Sequence, residues 1–305
     1  MATLKHISEY LALRTVGAVA ATLPYPAALA WGRVQADMTF PLLGARRHEA
    51  SRRLRQVFGD RFDEHEIRTI CRQSWRNIVL SGIEMMRVGQ ADLAWAKRYC
   101  RCDVFQRTVK DHLQTGQGAI LACPHIGSWE MASVFARLHG IPIFSIGARQ
   151  RNPLVNDYIL RMRQKPGIDI IPRGGGTMKQ VFRKLNAGQA LGILPDTRAR
   201  EPGFAVPFLG GEANIHKGMA LFAIHTGCPV FPVIARRHGL TGHSLTVYPP
   251  VRPDPAVSKH EDGLRMTREV MRVIDRAIQD EPGQWFWYNR RWILDPLEQA
   301  SEPGK

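Results

Sequence analysis

The chain has 305 residues, 44% of them hydrophobic and 23% charged, which suits one large globular domain or two small ones and excludes a disordered chain. Its formal net charge of +15 predicts attraction to an anionic partner, whether nucleic acid, an acidic membrane surface or an acidic carrier protein. The five cysteines are dispersed, form no disulfide framework, and leave Cys100-x-Cys102 without the second pair a zinc site needs; they fit a reducing compartment.

Thr15–Gly32 is a run of eighteen residues without a charge, bracketed by Arg14 and Arg33. That is close to the lower limit for a spanning helix, and Pro24 and Pro26 interrupt it. We read residues 1–45 as a membrane-anchoring or interfacial segment and 46–305 as the main domain, which would carry any activity. A buried core helix and a signal peptide cut after Ala28-Leu29-Ala30 are the alternatives. Arg46, Arg47, Arg52, Arg53 and Arg55 follow as a basic cluster suited to anionic headgroups or to a solvated helix face.

Residues 63–88 carry apolar side chains at helical spacing. From about residue 100, apolar runs at Gly118–Cys123, Pro142–Ile146, Ile168–Ile171, Ala190–Leu194 and Pro229–Ala235 predict buried strands. Amphipathic stretches at 128–139, 153–164, 176–186, 214–226 and 260–280 predict helices between and after them. Strands alternating with helices imply an α/β fold: a mostly parallel or mixed sheet covered by helices, behind a helical N-terminal third.

Leu121-Ala122-Cys123-Pro124-His125-Ile126-Gly127-Ser128-Trp129-Glu130 ends a buried strand and opens a helix, the junction at which sheet enzymes place reactive groups. Within one helix, residues five apart point about 140° away from each other. Glu130 therefore meets His125 only if the histidine precedes the helix. A carboxylate there would fix the imidazole tautomer and leave the other ring nitrogen to take a proton from an alcohol.

Pro124–Glu130 resembles the His-x4-Asp/Glu motif of the lipid A biosynthesis acyltransferase family, a branch of the glycerolipid acyltransferase group. Further blocks follow in the family's order: Arg151-Asn152-Pro153 leading to Arg161-Met162-Arg163, Gly192-Ile193-Leu194-Pro195-Asp196, Val206–Gly211, Thr226–Val233 and Gln284–Trp292. Together they cover roughly residues 8–295. The resemblance implies direct acyl transfer with His125 as general base and Glu130 orienting it. It places Arg163 near a substrate phosphate, with Arg149, Arg151 and Asn152 as neighbouring substrate-binding candidates, and Asp196 as the acidic residue of the third block. The donor would be acyl carrier protein or acyl-CoA and the acceptor a phosphorylated membrane glycolipid, with no cofactor and no metal. The place would be the cytoplasmic face of the bacterial inner membrane, on its anionic surface. Acylation of a phosphatidylinositol mannoside, ornithine lipid or lysophospholipid is the alternative activity, and a non-catalytic basic membrane-binding protein the alternative class.

Thr197 stands where the family often has glutamine, and Phe208-Leu209 where it often has two phenylalanines, which puts contacts around Asp196 and local packing in question. Arg173-Gly174-Gly175-Gly176 lacks the Gly-Lys-Ser/Thr of a phosphate loop and reads as a helix entry. No G-x-S-x-G elbow, G-x-G-x-x-G loop or H-E-x-x-H pair occurs, and no nucleic-acid module. Arg265, Arg268, Arg272 and Arg276 make one helical stripe, suited to an acidic carrier protein or to local pairing with Glu261, Asp262, Glu269 and Asp275.

Overall fold

The protein is described from a computed structural model covering residues 3–147 and 150–296. The described residues before Cys100 are mainly helical: α1 (Leu4–Thr22), α2 (Tyr25–Thr39), α3 (Ala45–Phe58), α4 (Glu64–Arg87) and α5 (Leu93–Tyr99). The uncharged run is split between α1 and α2 at Leu23, which is extended (φ −81°, ψ 148°) because Pro24 disfavours a helical residue before it. No helix among the described residues is long and apolar enough to cross a membrane. Instead Tyr25, Ala28 and Leu29 are buried with Leu80 and Ile83 of α4 in a small core of their own. The basic cluster is not uniform either. Arg53 is buried and donates to the carbonyls of Trp287 and Asn289, whereas Arg52 and Arg55 pair on the surface with Glu49 and Glu64.

The sheet begins at β1 (Cys100–Arg101), followed by α6 (Asp103–Leu113), β2 (Ala119–Ala122), α7 (Trp129–Leu138), β3 (Ile143–Gly147), α8 (Pro153–Gln164), β4 (Asp169–Pro172), α9 (Thr177–Asn186) and β5 (Ala190–Ile193). A separate hairpin, β6 (Phe204–Phe208) and β7 (Gly211–Ile215), precedes α10 (Gly218–Thr226), β8 (Val230–His238), β9 (Gly242–Val247) and α11 (Lys259–Asp280). Among the described residues the main sheet has seven strands in the order β1-β9-β8-β2-β5-β3-β4, parallel except where β9 returns antiparallel to β8. The expected α/β architecture is the one observed, with helices on both faces. Along β2, Ile120 and Ala122 enter one core while Ala119 and Leu121 enter the other, the alternation of a strand covered on both sides.

The helix expected over 214–226 starts only at Gly218, because residues 211–215 are claimed by the hairpin. Its two-residue turn needs positive φ at both positions, supplied by Leu209 (51°) and Gly210 (75°). Leu209 is held there by its N–H donating to Asp275 at 2.9 Å, so the departure at Phe208-Leu209 falls in a tight turn braced by α11.

Leu29→Ala should lower the stability of the whole domain by about 2–5 kcal/mol, the usual cost of a buried leucine truncation. Urea unfolding followed by tryptophan fluorescence checks this, and an unchanged midpoint would mean that α2 is not part of the folded core.

Candidate active site

β2 and β5 are parallel neighbours with Ala122 opposite Ile193. Three residues beyond that pair, each strand has run into its loop, and His125 meets Asp196. The Asp196 carboxylate, 2% exposed, accepts from His125 Nδ1 at 2.9 Å, from the His125 backbone N–H at 2.7 Å and from Trp285 Nε1 at 2.8 Å. The C-terminal segment holds the same loop through its main chain: Phe286 N–H donates to the His125 carbonyl at 3.1 Å, and Gly127 N–H to the Gln284 carbonyl at 2.9 Å. Gly127 has φ 56°, and a Cβ there would stand 2.4 Å from the Ala235 carbonyl oxygen, so only glycine lets the loop lie this close to β8.

Burial opposes ionisation of Asp196, but the charge and hydrogen bond of His125, the Trp285 N–H and the His125 backbone N–H outweigh it and hold the carboxyl below its usual range. Burial likewise opposes protonation of His125. Asp196, through charge and hydrogen bond, and then the charge of Glu130 reverse the balance and place the imidazole above its ordinary value of 6.5. A carboxylate can only accept, so Nδ1 carries the proton in the neutral ring and Nε2 keeps its lone pair. No described residue hydrogen-bonds Nε2. The ring is walled by Trp129 and Phe286, with centroids 5.2 Å and 6.0 Å away.

The pairing expected from the sequence, Glu130 on the His125 ring, is therefore corrected: the orienting carboxylate is Asp196. Glu130, on the first turn of α7, turns to Arg163 on the last turn of α8, accepting from Nη2 at 2.5 Å and Nε at 3.2 Å. Asp196, expected at the substrate, is wholly taken up by His125 and Trp285. Asn152 caps α8, accepting from Leu154 and Val155 N–H, and donates to the His6 carbonyl and Glu9 of α1, which spends the side chain on structure. Arg151 is exposed, and Arg149 lies outside the described residues. Trp285, which the sequence placed only within a resemblance block, is the residue missed at this centre; its signal was the cluster of aromatics at 285–292.

Beside this centre lies a mainly apolar cavity of about 480 Å³, of the size of small-ligand sites. It runs under α7, where Leu121, Met131 and Ile143 line it, to a mouth at Trp129, Glu130, Arg163, Arg173 and Lys217. His125 itself faces a much smaller cleft with Asp196, Trp285 and Phe286, while Trp129, which packs on its ring, lines the larger cavity. Cys123 also lines the cavity, but burial and then the charge of Asp196 push its thiol up to about 12, far from a usable thiolate. Among the described residues no cluster of three or more His, Cys, Asp or Glu side chains gathers that could hold a metal ion.

The signs of the two shifts make the pair's stabilisation fall off at both ends of the pH scale. The His125 contribution is present below the unfolded imidazole value and is lost as pH rises through the raised folded value; the Asp196 contribution is present above the unfolded carboxyl value and is lost as pH falls through the depressed one. Asp196→Asn should therefore bring the His125 titration midpoint down, below that of the parent. Nuclear magnetic resonance of histidine-labelled protein, with His125→Ala to assign the signal, reads this directly; an unmoved midpoint would remove Asp196 as its partner.

A profile described as bacterial lipid A biosynthesis acyltransferase matches residues 2–293. A phosphatidylinositol mannoside acyltransferase of Mycolicibacterium smegmatis is 25% identical over 186 residues, 60% of this chain and 59% of that protein. Its counterpart in Mycobacterium tuberculosis is 24% identical over 196 residues, 62% of this chain and 60% of that one. A lipid A biosynthesis acyltransferase of Haemophilus influenzae is 24% identical over 174 residues, 56% and 52% of the two chains. The matched part thus spans between about half and three fifths of the length of these curated relatives. With the family match running over nearly the whole sequence, the chain belongs to the bacterial lipid A biosynthesis acyltransferase family.

Proposed function

We propose that the protein is an O-acyltransferase that moves a fatty-acyl group from a thioester, acyl carrier protein or acyl-CoA, to a hydroxyl of a phosphorylated membrane glycolipid. The observation that carries this reading is the His125–Asp196 pair, its Nε2 unengaged, standing beside an apolar cavity with a basic mouth. His125 Nε2 takes the proton of the acceptor hydroxyl as its oxygen attacks the thioester carbonyl. The C–O bond forms, the C–S bond breaks, and the imidazolium returns the proton to the departing thiolate. Asp196 favours that imidazolium electrostatically. The acyl chain occupies the cavity, and Arg163, with Arg173 and Lys217, meets a substrate phosphate at its mouth. An acyl-cysteine route gains no support from Cys123, whose proton is held too tightly.

A lipid A type acceptor is supported by the family match, and a phosphatidylinositol mannoside is the second acceptor class because the mycobacterial relatives carry that name. Lipid mass spectrometry of the source cells with and without the gene decides between them, by which lipid class loses the mass of one acyl chain. Arg265 is bridged to Asp262 and Glu269, so docking of an acidic carrier protein on α11 would rest on the exposed Arg268, Arg272 and Arg276.

We place the enzyme on the cytoplasmic face of the inner membrane, where thioester donors are made. Leu4, Ile7, Leu11 and Val19 are exposed along α1 within an arc of about 120°. Val34 and Met38 of α2 and Leu42 beyond it are exposed at four-residue steps. Flanked by Arg14, Arg33 and Arg46, these faces suit helices lying in an anionic interface.

His125→Ala should leave a folded protein and cut acyl transfer by roughly 100- to 10,000-fold. Glu130→Ala should cost less, since Asp196 still orients the ring, and Glu130→Asp should keep partial activity. Thiol release from dodecanoyl-CoA with a membrane-lipid extract as acceptor measures both; a folded His125→Ala working at the parent rate would sink the assignment. Replacing Leu4, Leu11 and Leu42 by serine should weaken flotation with anionic vesicles by at least about tenfold without moving the melting temperature. Substitution is the cleaner test than deletion of residues 1–33, which would also remove the core side chains Tyr25 and Leu29.

A further inference from the structure

The periodicity of α4 gives it an apolar face, yet a second buried stripe runs along it: Ser74, Asn77, Ser81 and Glu84, at steps of three and four residues, are all buried. Each is hydrogen-bonded to the histidine loop or to the C-terminal segment that braces it. Ser74 donates to the Trp285 carbonyl at 2.5 Å, Asn77 to that of Gly283 at 3.2 Å and Ser81 to that of Gly127 at 3.2 Å, while Glu84 accepts from the Ser128 hydroxyl. Glu84 gathers more donors than any single contact explains: Arg237 Nη1 at 2.9 Å and Nη2 at 2.7 Å, Tyr25 hydroxyl at 2.8 Å and His243 Nε2 at 2.9 Å. Burial opposes its ionisation, but Arg237 and then His243 keep it a carboxylate, well below the usual range.

A buried ion cluster of this kind is seldom more stabilising than apolar packing of the same volume, so stability alone does not account for it. What it does achieve is local. Ser128 is the N-cap residue of α7, yet its hydroxyl caps no backbone N–H and is drawn to Glu84 instead. The Ser128 cap, three residues after His125 and two before Glu130, is thereby tied to α4, β8 and β9 rather than to the first turn of α7.

We infer that Glu84 is a positioning residue for the transfer reaction, acting through Ser128 to hold the His125 loop and the start of α7 in register with Asp196. The inference rests on the reading of His125 as the general base. It is tested in the full-length protein by thiol release from dodecanoyl-CoA with a membrane-lipid extract, alongside melting temperatures. Ser128→Ala should stay folded, keep its KM for dodecanoyl-CoA and lose about ten- to a hundredfold in kcat, as a small misplacement of reacting groups does. Glu84→Gln should lose both stability and kcat, and the charge-balanced Glu84→Gln/Arg237→Gln should regain melting temperature but not kcat. Should Glu84→Gln fail to fold, Ser128→Ala decides by itself. A folded Ser128→Ala with parent kcat, beside an inactive His125→Ala, would overturn the positioning role and leave the general base standing. Recovery of both rate and melting temperature in the charge-balanced variant would make Glu84 purely structural. A fully active His125→Ala would instead overturn the underlying reading.

Discussion

The arrangement depends on one buried carboxylate. Asp196 is almost wholly withdrawn from water, so its lone pairs must be met by protein donors, and those donors come from two segments remote in sequence: the ring and backbone of His125, 71 residues away, and the indole of Trp285, 89 residues away. Satisfying it therefore fixes the loop after β2 against the loop after β5 and draws the C-terminal segment across both. The main-chain contacts of Phe286 and Gly127 then continue the same closure. The charge that demands this geometry also sets the tautomer and the affinity of the imidazole for a proton.

A second buried carboxylate, Glu84, lies on the other side of the same loop, so the segment from His125 to Ser128 is held between two anions with different partners. The Glu130–Arg163 pair contrasts with both. Its side chains keep 20% and 27% of their exposure, so water reaches this pair as it does not reach Asp196 or Glu84. Two desolvated anchors and one partly exposed pair at the cavity mouth fit the function proposed above, in which the imidazole stays fixed while Arg163 exchanges its carboxylate for a substrate phosphate. The N-terminal helices extend this division of labour. One face of α2 is packed on α4 and sends Tyr25 to Glu84, while the other faces of α1 and α2 leave leucine, isoleucine, valine and methionine in the open.

Much of the scaffold was legible from local pattern. Short apolar runs marked β2, β3, β4, β5 and β8, and their observed bounds fall within a few residues of those runs, because a strand covered on both faces must be apolar throughout. The hairpin was not legible in this way: Phe204–Phe208 is apolar at every position and contains Pro207, so the alternating burial of Phe204, Val206 and Phe208 emerges only when β6 pairs with β7. β9 is another such case. Its Gly-His-Ser-Leu-Thr-Val sequence is too polar to stand out, and it becomes a strand because β8 offers an edge to pair with.

The sequence by itself determined which chemical groups are available and where the chain turns from strand to helix. His125 at a strand end, Glu130 on the first turn of the next helix and Asp196 after another strand all follow from spacing and from proline and glycine placement. Which carboxylate meets the histidine was a tertiary decision. Glu130 is five residues from His125 and Asp196 is seventy-one, yet the parallel register of β2 and β5 sets Ala122 beside Ile193 and carries the distant pair together. The nearby glutamate, at the start of α7, pairs with Arg163 of α8 instead. Strand order is written in the packing of both sheet faces, a property of the whole chain that no local spacing contains, and it made Asp196 the partner of His125.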